Sequence, residues 1–176
     1  MKKKIKPAFE TETKVTTFWG TGASGCTTLS LEYCRQLAEA GRKTLLIDHD
    51  LLDPSLMVYL AIDNHPSGLQ AGLRLASQQR LDPANLNELI IESRDFANLS
   101  FMAGLPTVGR FRSIEAESIT ALVELLRTWF DEIVIDLGCL IPQDINPHVF
   151  SLQQQLFGFT DEIFGVFRAD PEGIAK

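Results

Sequence analysis

One stretch limits the fold of this chain more than any other: Gly20-Thr21-Gly22-Ala23-Ser24-Gly25-Cys26-Thr27-Thr28. Before it lies Val15 to Trp19, rich in β-branched and aromatic residues, which reads as a short buried strand stopping at Gly20. After it, Thr28 to Ala40 reads as a helix, with Leu29, Tyr33, Leu37 and Ala40 on one face. Gly41 stands where a glycine commonly ends a helix. Thr44 to Asp48 is then a second strand, apolar up to its last residue, as suits a parallel sheet covered on both faces. Residues 15–48 thus spell a strand–loop–helix–strand unit.

A glycine-rich loop in that setting has the form of a phosphate loop, GxxxxGK[ST]. Gly20 and Gly25 have the right spacing and Thr27 follows, but Cys26 holds the lysine position. Small residues let backbone N–H groups turn inward around phosphate oxygens, and the helix start adds its free N–H groups and positive dipole end. None of that needs the lysine. Gly20 to Thr28 are therefore the candidate nucleotide-binding residues, with the Thr27 hydroxyl a candidate Mg²⁺ ligand. Two other readings stay open: a glycine-rich turn of another α/β fold, and a dinucleotide site, since Gly20-x-Gly22-x-x-Gly25 also satisfies GxGxxG with Asp48 as its acid.

Two further segments carry carboxylates at strand ends, where open α/β sheets bind ligands. In Leu45-Leu46-Ile47-Asp48-His49-Asp50, the two aspartates share a side of an extended chain and His49 faces away. Asp48 and Asp50 are the candidate catalytic pair, able to hold Mg²⁺ or orient a water. The simpler reading is that they cap the next turn. Asp131-Glu132-Ile133-Val134-Ile135-Asp136 has the Walker B pattern, in which Asp136 reaches Mg²⁺ through water. The candidate metal set is Thr27, Asp48 and Asp136.

Elsewhere the pattern predicts a helix from a Ser67 cap through Leu75 and another from Asp82-Pro83 to about Ile91. It also predicts a strand at Leu99 to Met102, a helix over Ile114 to Phe130, a helix over 145–157 and a strand from Glu162 to Phe167. Asp170-Pro171-Glu172 has the grammar of a helix start, yet the chain stops one turn later at Lys176. The expected organisation is a flexible tail over 1–13 and a phosphate-loop domain over 14–176, incomplete at its C-terminal end. The tail carries Lys2, Lys3, Lys4 and Lys6 and reads as a solvated segment rather than a membrane or nucleic-acid contact.

Composition narrows the function. A net charge of −7 argues against nucleic acid as a ligand, because duplex binding needs a basic face. Cys26, Cys34 and Cys139 are odd in number and form no CxxC, so neither a disulfide framework nor a zinc site is indicated. A reducing cytoplasm is the expected setting. No apolar run approaches the ~18 residues of a membrane span.

At these motifs the sequence resembles the MinD/ParA group of P-loop ATPases. The loop is similar to that group's deviant Walker A, KGGxGKTT: Thr21 falls at the signature lysine and Cys26 at the ordinary one. Gly22 falls at a glycine, Ala23 replaces the next, and Gly25, Thr27 and Thr28 match. Leu45 to Asp50 resembles the group's VLLIDxD segment, Ile133 to Asp136 its Walker B, and Phe164 to Pro171 its late strand. The atypical CpaE/TadZ pilus-assembly members, which also relax these lysines, look nearest. The resemblance implies a three-layer α/β sandwich with a mainly parallel central sheet. It also implies ATP or ADP with Mg²⁺, held weakly or not at all. The implied partners are proteins of a localisation or pilus/secretion machinery and a second copy in a homodimer. The implied location is the cytoplasm, with peripheral association at the inner membrane face through partners. Three functions stay open: a degenerate positioning or scaffold protein, an active ATPase with a substitute cation such as Arg110 or Arg112, and a dinucleotide-dependent α/β enzyme.

Overall fold

A computed structural model describes residues 12–63, 65, 67–107 and 109–169. The basic run at Lys2 to Lys6 and the helix start at Asp170 lie outside the described residues. The expected βαβ unit is present as β1 (Lys14–Gly20), α1 (Cys26–Glu39) and β2 (Thr44–Asp48). Then come α2 (Leu56–Tyr59), α3 (Gly68–Ser77), α4 (Pro83–Leu89), β3 (Ile91–Glu92) and β4 (Leu99–Met102). A 3₁₀ turn (Arg110–Ser113) leads to α5 (Ala116–Leu126), β5 (Glu132–Cys139), α6 (Pro147–Phe157) and β6 (Glu162–Val166).

The six strands form one sheet in the order β3-β4-β2-β5-β1-β6. All pairings are parallel except β3 with β4. Alternation along the strands divides the core between the two faces. Leu45, Ile47, Ile133, Ile135 and Leu137 pack with Leu69 and Leu73 of α3, Leu122 and Leu126 of α5, and Leu152 and Leu156 of α6. On the other face Phe18, Leu46, Val134 and Phe101 meet Cys34 and Ala38 of α1 and Leu56 of α2. The result is the expected three-layer sandwich. β2 is buried along its whole length, which is why it reads as an unbroken apolar run.

Several boundaries differ from the sequence reading. α1 begins at Cys26 rather than Thr28, because Gly25 takes the left-handed φ of 88° and the helix starts directly after it. β5 does not stop at Asp136 but continues to Cys139, which pairs with Gly20 across an irregularity in β1. The helix expected over Ile114 to Phe130 is shorter at both ends, with Ile114 closing the 3₁₀ turn and Trp129 in a turn bonded to Leu126. The one expected over 145–157 begins at Pro147, since the Asn146 side chain accepts from Val149 N and caps it. Ser67 precedes α3 as expected, but its hydroxyl makes no capping bond and is buried without a partner. α4 stops at Leu89 because Ile91 enters β3. Thr13, assigned to the flexible tail, is buried, its hydroxyl 2.8 Å from the carbonyl oxygens of both Arg127 and Phe130.

Candidate phosphate-loop site

The site lies where β1, β2 and β5 reach their C-terminal ends together. Asp48 and Asp136 are direct cross-strand neighbours in the β2–β5 register. Parity sends both to the α1 side of the sheet, where Asp136 meets the loop through Cys26.

The loop itself is shaped by its small residues. Ser24 N donates to Thr21 O at 3.0 Å, and Thr21 N donates to Val166 O at 3.3 Å, tying the turn to the end of β6. Ala23 and Gly25 have positive φ, 57° and 88°. α1 starts without any side-chain cap, so its first-turn N–H groups are offered to a ligand. The hydroxyls of Thr21 and Ser24 are buried without partners. An open helix start beside orphaned hydroxyls has the chemistry to take phosphate oxygens.

Cys26 does something the sequence did not reveal. Its Sγ donates to Asp136 Oδ1 at 3.3 Å, and the same oxygen accepts from Gly138 N at 3.2 Å. Burial, and then the Asp136 charge, push the Cys26 thiol far above its ordinary value. The side chain is therefore a neutral thiol facing the Walker B carboxylate, where a lysine would put a mobile positive charge.

Asp48 is almost wholly buried and accepts from Leu56 N at 3.0 Å and Asp50 N at 3.2 Å. Burial outweighs those two bonds and raises its carboxyl to about 7, with the Asp136 charge adding to the effect. Asp50 Oδ1 accepts from Leu52 N at 3.1 Å and Asp53 N at 2.9 Å. Its carboxyl is also raised, first by burial. Both aspartates thus cap the turn after β2, the simpler of the two sequence readings, while standing within electrostatic reach of Asp136. Among the described residues no group of three or more His, Cys, Asp and Glu is placed to hold a metal ion.

Two participants escaped the sequence reading. Cys139 lies within electrostatic reach of Cys26 and 3.9 Å from where a side chain on Gly22 would begin. Gly104 is tucked so close that a Cβ would stand 2.8 Å from Pro54 Cβ and 3.1 Å from Asp48 Cγ. His49 faces away from Asp48, as expected, but it is buried with both ring nitrogens unpartnered, and burial lowers it to about 4. Only the glycine has a visible sequence signal, its place just after an apolar strand. As for a substitute cation, Arg110 and Arg112 are exposed on the 3₁₀ turn, and Arg35 of α1 is engaged by Glu32 and Glu39.

Known proteins agree with this geometry at the level of the fold. No protein-family model matches the chain. A septum site-determining protein MinD from Synechocystis is 26% identical over 151 residues, covering 86% of this chain and 54% of that protein. A ParA family ATPase from Chlorobium tepidum superposes with a TM-score of 0.76 at 20% identity, over 92% of this chain and 63% of the other. The chain has the fold of the MinD and ParA ATPases. MinD from Pyrococcus horikoshii, solved with Mg-ADP, gives a TM-score of 0.65 at 20% identity over 93% of this chain and 60% of that one. The chain therefore spans a little over half the length of the curated MinD it matches. Within the MinD/ParA fold, the lysine-less loop and the thiol–carboxylate bond are properties of this chain's own residues. No helix among the described residues is long and apolar enough to cross a membrane.

Proposed function

We propose that this chain is a degenerate MinD/ParA-like protein, a positioning or scaffold factor of the pilus-assembly type. It binds nucleotide weakly or not at all and acts through protein partners in the cytoplasm, at the inner membrane face. The observation that carries this reading is the Cys26–Asp136 hydrogen bond. In a working phosphate loop the lysine neutralises phosphate charge and the Walker B carboxylate faces Mg²⁺. Here the first is replaced by a neutral thiol, and the second accepts a hydrogen bond from that thiol.

The phosphate-holding part of the site suits ATP or ADP. The amides at the start of α1 and the hydroxyls of Thr21 and Ser24 would hold the phosphates, and Thr27 with Asp136 would hold Mg²⁺. Mg·ATP would supply a transferable phosphoryl group and a divalent charge. What this chain's residues add is orientation without positive charge. Loss of one charge-assisted bond weakens binding by ~1.5–3 kcal/mol, roughly 10- to 150-fold. Loss of a cation at developing transition-state charge weakens hydrolysis further. Thr21, at the signature lysine position, is too short to reach across a nucleotide-sandwich dimer.

Calorimetric titration with ATP·Mg²⁺, together with a phosphate-release assay, tests the reading. Millimolar or absent affinity without turnover is expected. Turnover like that of ordinary MinD/ParA ATPases would overturn it, and binding of a nicotinamide cofactor would point to the dinucleotide enzyme. The positioning role predicts discrete foci of a fluorescent fusion at a pole or the membrane. A uniform cytoplasmic signal would count against it.

A further inference from the structure

A second cavity lies on the sheet face opposite α1, where α3 and α5 pack. It is a cleft of about 620 Å³, walled by α3 on one side and by the 3₁₀ turn and the first turn of α5 on the other. That volume is in the range that takes a drug-sized ligand. Its floor includes the buried side chains of Leu73 and Ile114. Among the described residues, none of the phosphate loop lines it, and neither Asp48 nor Asp136 does.

The polar groups of the cleft are unevenly shared between its walls. Gln70 and Arg74 stand one turn apart on α3, four residues being the spacing that makes helix neighbours. The facing wall carries Glu115. Neither Arg74 nor Glu115 has an ion-pair or side-chain hydrogen-bond partner among the described residues. The hydroxyls of Ser77, Ser113 and Ser118 also line the cleft, but their protons are committed. They donate to Arg74 O at 2.9 Å, Arg110 O at 2.9 Å and Glu115 O at 2.6 Å. Each is left with lone pairs only. The Ser67 hydroxyl is sealed from solvent. The strong donors therefore sit on α3, and the wall opposite, Ser113, Glu115 and Ser118, is negative and accepting.

We propose that this cleft binds a small zwitterion of the short-peptide class. The ligand's carboxylate lies against Arg74 and Gln70, and its ammonium lies against Glu115 with the Ser113 and Ser118 oxygens. An ammonium has three protons to give and a carboxylate has none, which matches the two walls in turn. Its aliphatic part covers Leu73 and Ile114. A simple anion would leave Glu115 desolvated without a partner, and a simple cation would do the same to Arg74. A ligand with both charges leaves neither uncompensated.

NMR titration of the whole chain with the tripeptide leucylglycylglycine tests the proposal, read at the backbone amides of residues 70–77 and 113–118. Millimolar affinity is expected, because Arg74 and Glu115 are exposed and their charges are screened. Acetylating the peptide's amino end, or amidating its carboxyl end, should each weaken binding about three- to fivefold. Arg74→Gln should weaken the free peptide by the same factor and make the protein indifferent to the amidated end. Glu115→Gln should do the corresponding thing for the acetylated end. Both side chains are exposed, and Glu115 makes no side-chain capping bond to α5, so both variants should fold. No shift of these amides up to about 20 mM peptide would overturn the proposal, since weaker binding is not a site. Equal binding of all three peptides would overturn it too, as would dependence on one end group alone. Because no nucleotide is present, the result is independent of whether the phosphate loop binds ATP.

Discussion

A single sulfur atom sets the character of the loop. Cys26 contributes a hydrogen bond to Asp136 and no charge. Cys26→Lys restores the charge in a cradle whose backbone is already formed, and its ammonium would also pair with Asp136. Calorimetry should show ATP·Mg²⁺ affinity rising by about 10- to 150-fold. An unchanged affinity would mean that the loop geometry, not the missing lysine, is at fault. Two buried neighbours predict opposite pH responses. Asp48 is raised to about 7, so the folded state holds a proton that the unfolded chain releases. Its contribution is present below the ordinary carboxylate range and is lost as pH rises through about 7. His49 is lowered to about 4, so its contribution is present above the ordinary histidine value and lost as pH falls towards 4. In thermal melts, Asp48→Asn should remove a decline in midpoint between about pH 4 and 7, while His49→Leu should lessen the decline below about pH 6.5. If each variant simply parallels the parent curve, neither group titrates as described.

Single elements depend on local bonds that can be removed one at a time. Asp82 caps α4 by accepting from Ala84 N and Asn85 N, and Asn85 returns a bond to Asp82 N. Asp82→Ala should lower stability by ~1 kcal/mol, seen as a fall of about 2–4 °C in the melting midpoint. No fall would show that α4 is held by Leu86 and Leu89 alone. That cap was legible in the sequence because Asp-Pro is a contact between neighbours. β1, β2 and β4 were legible because burial on both faces writes itself as an apolar run. What stayed hidden depends on partners distant in the chain. Thr13 looks like tail until the carbonyls of Arg127 and Phe130 close over its hydroxyl. β3 is two residues long and exists only because β4 lies beside it. The strand continuation past Asp136 follows from pairing with Gly20. The nine loop residues could be named from spacing, but the orientation of the Cys26 side chain towards Asp136 could not, because 110 positions separate them.

At the scale of the whole molecule, charge and topology dominate. With 23 acidic against 16 basic residues, the chain should show no retention of duplex DNA in fluorescence anisotropy at about 0.15 M salt. Saturable binding there would require a basic face that the net charge of −7 argues against. The placement of β1 beside β6 has a further, mechanical consequence. The two strands are parallel neighbours, with Thr16 opposite Glu162 and Gly20 opposite Val166. A chain gripped at Lys14 and at Val166 is pulled at the start of one strand and the end of the other. The ladder between them is then loaded in shear, all of its bonds at once, rather than opened one bond at a time. Arg127 braces the same end, donating to Thr13 O at 2.7 Å and to Phe159 O at 3.0 Å. Single-molecule stretching from those two points should give one abrupt, high-force rupture. Attachment at Lys14 and Glu162, at the same end of both strands, should peel them apart at distinctly lower force.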